Sequence, residues 1–235
     1  MTKPSRRLLL AGLAAAAGSG LAGCVTPGGP SAARPGVNGL AATAPAPPTF
    51  DYAAIYAEVK TDKFPIPAVE YSKLDRAFLR QEVEYSGREK PGTIVVDPKA
   101  RFLYLVGEGG RARRYGVGVG KEGFGWSGVA DVRSKQEWPD WYPPAEMIKR
   151  RPDIKKQLSK LQSGIGMKGG LDNPVGARAL YLWQGNKDTL FRIHGTVEPD
   201  TIGTSVSSGC IRMINQDAID LFSRVEVGTK VVVRN

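Results

Sequence analysis

Residues 190–210 read LFRIHGTVEPDTIGTSVSSGC, and the parsing of this stretch decides the fold. Leu190 to Ile193 is a short apolar run that predicts a strand, and it ends on His194. A loop rich in Pro, Gly, Thr and Ser follows, and a tight turn at Ser207-Ser208-Gly209 leads to Cys210. His194 is the sole histidine of the chain, and Cys210 is the sole cysteine after Cys24. A thiol attacks as thiolate and titrates near pH ~8.5 when free, so a cysteine nucleophile calls for a nearby imidazole to take its proton. A base at the end of a strand beside a thiol on a loop is an arrangement that holds such geometry. Gly209 lets successive N–H groups turn toward one point next to the sulfur, which is what an oxyanion hole requires.

Outward from that stretch the chain reads as β-structure. Thr93 to Val96 and Arg101 to Val106 are strands joined by Asp97-Pro98-Lys99-Ala100, and Tyr115 to Val119 follows a Gly109-Gly110 turn as a third. Ala179 to Trp183 pairs with the His194 strand through Gln184 to Asp188, and Thr229 to Val233 closes the chain as a strand. The Gly-rich run 116–128 lacks the Gly-Lys-Ser/Thr ending of a phosphate loop and reads as turns and strands. Ala145 to Arg151 and Pro152 to Leu161 read as a basic helical insertion, either bordering the cleft or decorating the surface. Trp138, Trp141 and Tyr142 either pack as core or line a substrate groove. Asn215 caps a final helix with Ile219, Phe222 and Val225 as its buried stripe. No TIM-barrel or Rossmann alternation is visible, and short strands with turn punctuation argue for a mainly antiparallel β-sandwich.

His194-Gly195-Thr196, a loop, and then Ser207-Ser208-Gly209-Cys210-Ile211-Arg212-Met213 together resemble the signature of the L,D-transpeptidases, the YkuD-type catalytic domain of bacterial cell-wall enzymes. Order, spacing and the flanking Gly, Ser and Arg match together. The departure is Ser208, where many members carry a second histidine. Looser similarity runs from about Lys90 to Val233. The resemblance implies a mainly β fold, a YkuD-type β-sandwich with Cys210 and His194 at one mouth. A helical insertion and a C-terminal helix near the site complete that expectation. It implies that Cys210 attacks the carbonyl after the third residue of a peptidoglycan tetrapeptide stem, that D-alanine leaves, and that an amine resolves the thioester. The Gly195 carbonyl would orient the imidazole, and Ser208, Gly209 and the Cys210 N–H would hold the oxyanion. Arg212, whose fork of donors suits a carboxylate, would bind substrate together with Ser207 and Thr196. The acceptor stays open among a stem-peptide amine, an outer-membrane protein and water, the last giving an L,D-carboxypeptidase. A non-catalytic, lipid-anchored peptidoglycan-binding protein is the reading from another class. No cofactor is called for. One histidine and one free cysteine would need carboxylates to complete zinc's usual ligand set, and papain-type proteases place cysteine before histidine.

The 235 residues carry a formal charge of +10, and 41% are hydrophobic. That composition is globular, and the charge favours anionic surroundings such as wall polymers or lipid headgroups. The basic residues are dispersed and form no recognised nucleic-acid motif, so no nucleic-acid partner is expected. Residues 1–23 read as a signal peptide: Lys3, Arg6 and Arg7 precede an apolar run from Leu8 to Leu21. Ser5-Arg6-Arg7-Leu8-Leu9-Leu10 also resembles a twin-arginine signal, so the export route stays open between that and the general one. Leu21-Ala22-Gly23-Cys24 resembles the bacterial lipobox, whose cysteine becomes the acylated first residue. Acylation there would leave Cys210 without a disulfide partner. Residues 24–49 are then a flexible linker, since their Pro, Gly, Ala and Thr cannot bury enough surface to fold. Residues 50–90 form an N-terminal extension packing on the domain, and 91–235 form the catalytic domain. The expected location is the periplasm, on a membrane through the lipid. Cys24→Ala should therefore move the protein from the membrane to the soluble fraction on cell fractionation, and a variant that still sediments with membranes would remove the anchor.

Overall fold

The computed structural model describes residues 50–235 apart from 121–125, 151 and 208, and these described residues belong to one compact unit. The expected signal segment 1–23 and linker 24–49, with Cys24, lie outside the described residues. Strands run β1 (Gln81–Glu84), β2 (Ile94–Asp97), β3 (Phe102–Val106), β4 (Arg111–Gly116), β5 (Val119–Gly120), β6 (Gly128–Glu137) and β7 (Ser159–Leu161). They continue as β8 (Gly164–Gly166), β9 (Arg178–Gln184), β10 (Lys187–Thr196), β11 (Ser205–Ser207), β12 (Ile211–Ile214) and β13 (Lys230–Val233). Helices are α1 (Tyr52–Ile55), α2 (Ala145–Arg150) and α3 (Asn215–Arg224).

One nine-stranded sheet, ordered β1-β4-β3-β2-β13-β6-β9-β10-β12, makes the body. Only β2 with β13 and β10 with β12 run parallel within it. Right-handed twist curls a sheet of this width, and here its far ends meet. Gly118, just past β4, exchanges backbone bonds of 2.9 and 2.8 Å with Arg212 on β12. The two halves of the curled sheet therefore face each other as a sandwich. Leu103 and Tyr115 from one half share a core with Leu180, Ile193, Ile211 and Met213 from the other, and Ala218 and Leu221 of α3 complete it.

Local chemistry explains most elements. The β2–β3 hairpin turns where Asp97 Oδ1 accepts the Ala100 N–H at 2.9 Å, an Asx-type turn. Asp51 caps α1 by accepting from Ala54 N at 3.2 Å, and α1 is a single turn. Four differences from the sequence reading stand out. β4 begins at Arg111, ahead of Tyr115, and β6 is a ten-residue strand that the sequence reading did not anticipate. Pro152–Gln157 is a 3₁₀ turn, after which β7 and β8 form a small hairpin, so the insertion is helical only in its first part. The segment fails as a helix because Gly164 and Gly166 favour a hairpin and only Ile154 is buried. The buried face of α3 is Gln216, Asp217, Ala218 and Leu221, while Ile219 and Phe222 are half-buried.

The N-terminal extension packs closely on the domain. Tyr56 and Leu79 are buried with Ile202 and Ile214, and Ile66 is buried with Trp138 and Ala177. Trp138 packs as core: its indole N–H donates to Asp62 at 2.6 Å and Phe64 meets its ring edge-on at 5.0 Å. Tyr142 is exposed. A buried ionic cluster fastens the extension to the first turns of α3. Arg80 donates to Asp217 Oδ1 at 2.9 Å and to the Gln216 carbonyl at 3.0 Å, and pairs with Asp220 at 2.9 Å. Tyr56 donates to Asp217 at 3.2 Å, and the Gln216 amide donates to the carbonyls of Ala57 and Pro67 at 3.1 and 3.0 Å.

Burial pushes the Asp217 carboxyl up to about 6, with the Arg80 guanidinium opposing. Asp220 is also raised by burial, but hydrogen bonds from Arg224 and Tyr115 and the charges of Arg80 and Arg113 prevail and hold it at about 2. Asp217 at neutral pH is thus a buried carboxylate that depends on Arg80. Arg80→Met should cost about 3–5 kcal/mol at pH 7.5, the range for a buried charge stripped of its partner. With the guanidinium gone, the folded-state pKa of Asp217 rises further above its unfolded value. The folded form then holds a proton that the unfolded form releases, and stability falls as pH rises from about 4. The deficit against the parent should therefore shrink at pH 5 in thermal unfolding, and a pH-independent deficit would contradict this account.

Candidate active site

β10 and β12 build the site. Their parallel register pairs Ile193 with Ile211, His194 with Arg212 and Gly195 with Met213. Ile193, Ile211 and Met213 turn into the core, so alternation along a strand sends Arg192, His194, Cys210 and Arg212 to the opposite face. Cys210 comes level with Arg192, whose backbone N–H bonds the sulfur. It lies diagonally across the strand pair from His194, at a Cα separation on the order of 8 Å. Gly209 before it has φ +127, a conformation that L side chains rarely adopt, and a Cβ there would press on the Phe191 ring at 3.3 Å. Only glycine turns the chain this way in front of the thiol.

His194 is buried, and its Nδ1 lies 2.5 Å from the Gly195 carbonyl oxygen. That carbonyl can only accept, so the ring carries its proton on Nδ1 and Nε2 is left as the basic nitrogen. Burial lowers the imidazole pKa to about 4; the backbone carbonyls of Gly195 and Val175 oppose, and the charges of Arg212 and Arg192 add to the lowering. Burial likewise pushes the Cys210 thiol up, against the Arg192 N–H and the two guanidinium charges. At neutral pH the resting pair is imidazole and thiol, both uncharged.

Arg212 donates to Glu198 at 3.1 Å, so its guanidinium holds the chain's own carboxylate. The Thr196 hydroxyl accepts the Glu198 N–H at 3.1 Å and shapes the exit from β10. Ser207 ends β11, which pairs in parallel with β5. Ser208 lies outside the described residues. Asn215 is not a helix cap: the cap position is Ile214, which makes no side-chain bond. Instead its Oδ1 accepts from Ala177 N and its Nδ2 donates to Thr196 O, both at 2.9 Å. An Asn ahead of a helical pattern signals a cap in sequence, and nothing local distinguishes this use.

Arg192 is a site-face residue that the sequence reading missed. It binds Asp188 through two bonds of 2.7 Å and stacks 4.4 Å over the Tyr181 ring. The signal was its i, i+2 relation to His194 on one strand. Beside the end of β10, an apolar cleft of about 200 Å³ is lined by Ile66 to Val69, Trp138, Leu171, Thr196, Val197 and Asn215 among others; His194 and Cys210 are not part of its wall.

The model of the L,D-transpeptidase catalytic domain, YkuD, matches residues 91–233, more than half of the chain. "Probable L,D-transpeptidase ErfK/SrfK" of Escherichia coli (strain K12) is 31% identical over 150 residues, which cover 61% of this chain and 44% of that protein. The match therefore spans less than half of that relative's length. "Putative L,D-transpeptidase in ATP synthase subunits region ORF 5" of Fuscovulum blasticum is 34% identical over 143 residues, covering 60% of this chain and 68% of that protein. A solved structure named "Probable carnitine operon oxidoreductase caia" from Brucella melitensis is 53% identical, covering 70% of this chain and 99% of that one, with a TM-score of 0.46. The span matched by the family model contains the whole β10–β12 pair with His194 and Cys210, and the chain belongs to the YkuD family of L,D-transpeptidase catalytic domains.

Proposed function

We propose that the protein is an L,D-transpeptidase that cleaves tetrapeptide stems of peptidoglycan through a thioester on Cys210. The observation that supports the reading is the β10–β12 register, which brings β10, with the chain's only imidazole, beside the strand that the domain's only thiol leads into. Cys210 Sγ attacks the carbonyl carbon after the third stem residue as His194 Nε2 takes the thiol proton. The oxyanion meets the N–H groups of Gly209 and Cys210 at the turn. Collapse breaks the C–N bond, and His194 hands its proton to the departing D-alanine amine. An acceptor amine then attacks the thioester, loses its proton to His194, and the proton returns to the sulfur. Because both partners rest uncharged, the proton moves during attack and not before it. A stem carboxylate replaces Glu198 on Arg212, whose planar fork suits that group. Export and acylation at Cys24 would hold the enzyme on a membrane beside the wall, where stem peptides or an outer-membrane protein supply the amine.

Incubation with a tetrapeptide muropeptide should add to Cys210 the mass of the stem less its D-alanine, read by mass spectrometry. Cys210→Ala should gain nothing. An intact protein that releases no D-alanine and forms no adduct, yet sediments with wall sacculi, would make it a binding protein.

The second expectation concerns pH. His194 serves as base only when neutral, and its folded-state pKa is depressed to about 4, so the base form persists far below the ordinary histidine range. The rate of D-alanine release (kcat/KM) should stay level from pH 8 to about 5 and fall as pH drops through about 4. An acid limb near ~6.5, the unperturbed value, would mean that the imidazole in the working enzyme is not buried as described.

A further inference from the structure

The catalytic reading of His194 depends on one carbonyl, that of Gly195, and glycine is the residue least able to hold its own peptide plane. Something must fix that plane. The geometry points to the Asn215 side chain, and we propose that Asn215 is a positioning residue for the His194 base; this rests on the reading of His194 as the base. The carboxamide bridges two segments that meet at Gly195. Its Oδ1 accepts the Ala177 N–H at the entry to β9, and its Nδ2 donates to the Thr196 carbonyl, each at 2.9 Å. Oδ1 also lies against Gly195 so closely that a Cβ on Gly195 would run into it, and a Cβ on Gly176 would do the same. Gly195 thereby sits between Asn215, which packs against it and fixes the next peptide through the Thr196 carbonyl, and Met213 of β12 in register.

An amide suits this place for a chemical reason. It donates and accepts at the same time within a short side chain, and the two backbone groups it serves belong to different segments. Aspartate would keep the bond to Ala177 N, lose the donor to Thr196 O and bring a charge against that carbonyl. Alanine would lose both bonds and open the space above Gly195, leaving its carbonyl free to turn away from Nδ1. With that acceptor gone, the neutral ring is no longer held with Nε2 as the base. Asn215 touches no reacting atom, so it acts only through Gly195 and His194.

The anchor behind Asn215 is rigid and unusual in origin. Asn215 opens α3, and the next two residues are the ones gripped by the extension: Gln216 by Ala57, Pro67 and Arg80, and Asp217 by Tyr56 and Arg80. Those extension residues precede the span matched by the family model, which begins at residue 91. A run of contacts thus joins residues 56–80 to the first turn of α3, and Asn215 joins that turn to the histidine's acceptor.

The test uses the full chain and follows alkylation by iodoacetamide at the Cys210 peptide by mass spectrometry, so that Cys24 does not contribute. Asn215→Ala should slow the reaction at pH 7 on the order of tenfold, as a displaced catalytic group does. In a His194→Ala background the same change should alter the rate less than twofold, because the two residues act as one unit. Asn215→Asp, close in shape, should follow Asn215→Ala while circular dichroism and thermal unfolding show a folded protein. With the tetrapeptide stem, kcat should fall and KM hold. Equal slowing by Asn215→Ala in both backgrounds would assign it a purely structural effect and overturn the proposal, as would parental rates in Asn215→Asp. If His194→Ala itself is alkylated at the parental rate, the base reading falls and the positioning role falls with it. Parental rates in the Asn215 variants beside a slow His194→Ala sink the positioning role alone.

Discussion

Parallel pairing of β10 with β12 is the constraint on which the site depends. Two adjacent parallel strands cannot be joined by a hairpin, because the chain must return to the starting end of the first before the second begins, which takes a dozen or more residues. Residues 197–210 are that return. They leave β10, turn at Pro199–Thr201, pair as β11 with β5, and come round Gly209 into β12. The interval between histidine and cysteine in the sequence is therefore a length set by the sheet. Register adds the second condition. A slip of one residue would turn every side chain of β12 to the other face, setting Ile211 beside His194 and Arg212 in the apolar core. The buried trio Ile193, Ile211 and Met213 makes that slip costly, at about 1.5–3 kcal/mol for each large side chain moved from core to water.

That same packing shapes the electrostatics of the pair. A histidine near the end of a strand within a curled sheet is taken out of water, and burial is the largest influence on both His194 and Cys210. The fold therefore favours the uncharged forms of both groups. It also explains why the orienting partner is a backbone carbonyl. A carboxylate on Nδ1 would stabilise the imidazolium more strongly, whereas the Gly195 oxygen selects the tautomer with a weaker pull on the proton.

Much of this was legible in the sequence, for definite reasons. The β2–β3 hairpin, β9, β10 and β13 carry their own apolar residues and turn chemistry, and the His194–Cys210 stretch carries its function in residue types that occur nowhere else in the domain. What escaped was structure made by partners distant in sequence. β6 lies inside the sheet with only Ala130 and Val132 fully buried; its Lys135 is accommodated by the Val225 carbonyl at 2.5 Å and the Phe222 ring at 4.5 Å. The start of β4 reads as a run of arginines, yet Arg113 is paired with Glu82 and Asp220, and Arg114 lies 4.3 Å over Phe102. Arg80 and Asp217 are 137 positions apart. No window of sequence brings such residues together, and Asn215 reads as a cap because its local setting is that of one while its partners, Ala177 and Thr196, are remote in sequence.

The two arginines on the site face have opposite consequences for the pair. Each guanidinium lowers the thiol pKa, which favours attack, and each lowers the imidazole pKa, which disfavours the protonated base that attack creates. Left bare, they would help the first half of the proton transfer and hinder the second. The chain supplies each with a carboxylate: Asp188 binds Arg192 through two bonds of 2.7 Å, and Glu198 binds Arg212 at 3.1 Å. The pairs differ in exposure. The Glu198 side chain is 60% exposed against 30% for Asp188, and an ion pair so open to water contributes on the order of 0–1 kcal/mol. Glu198 can thus give way to an incoming carboxylate at little cost, while Arg192 keeps its partner. In the exchange proposed above, Arg212 would pass from one carboxylate to another with its charge still balanced, so a substrate carboxylate would leave the balance between thiol and imidazole as the fold sets it.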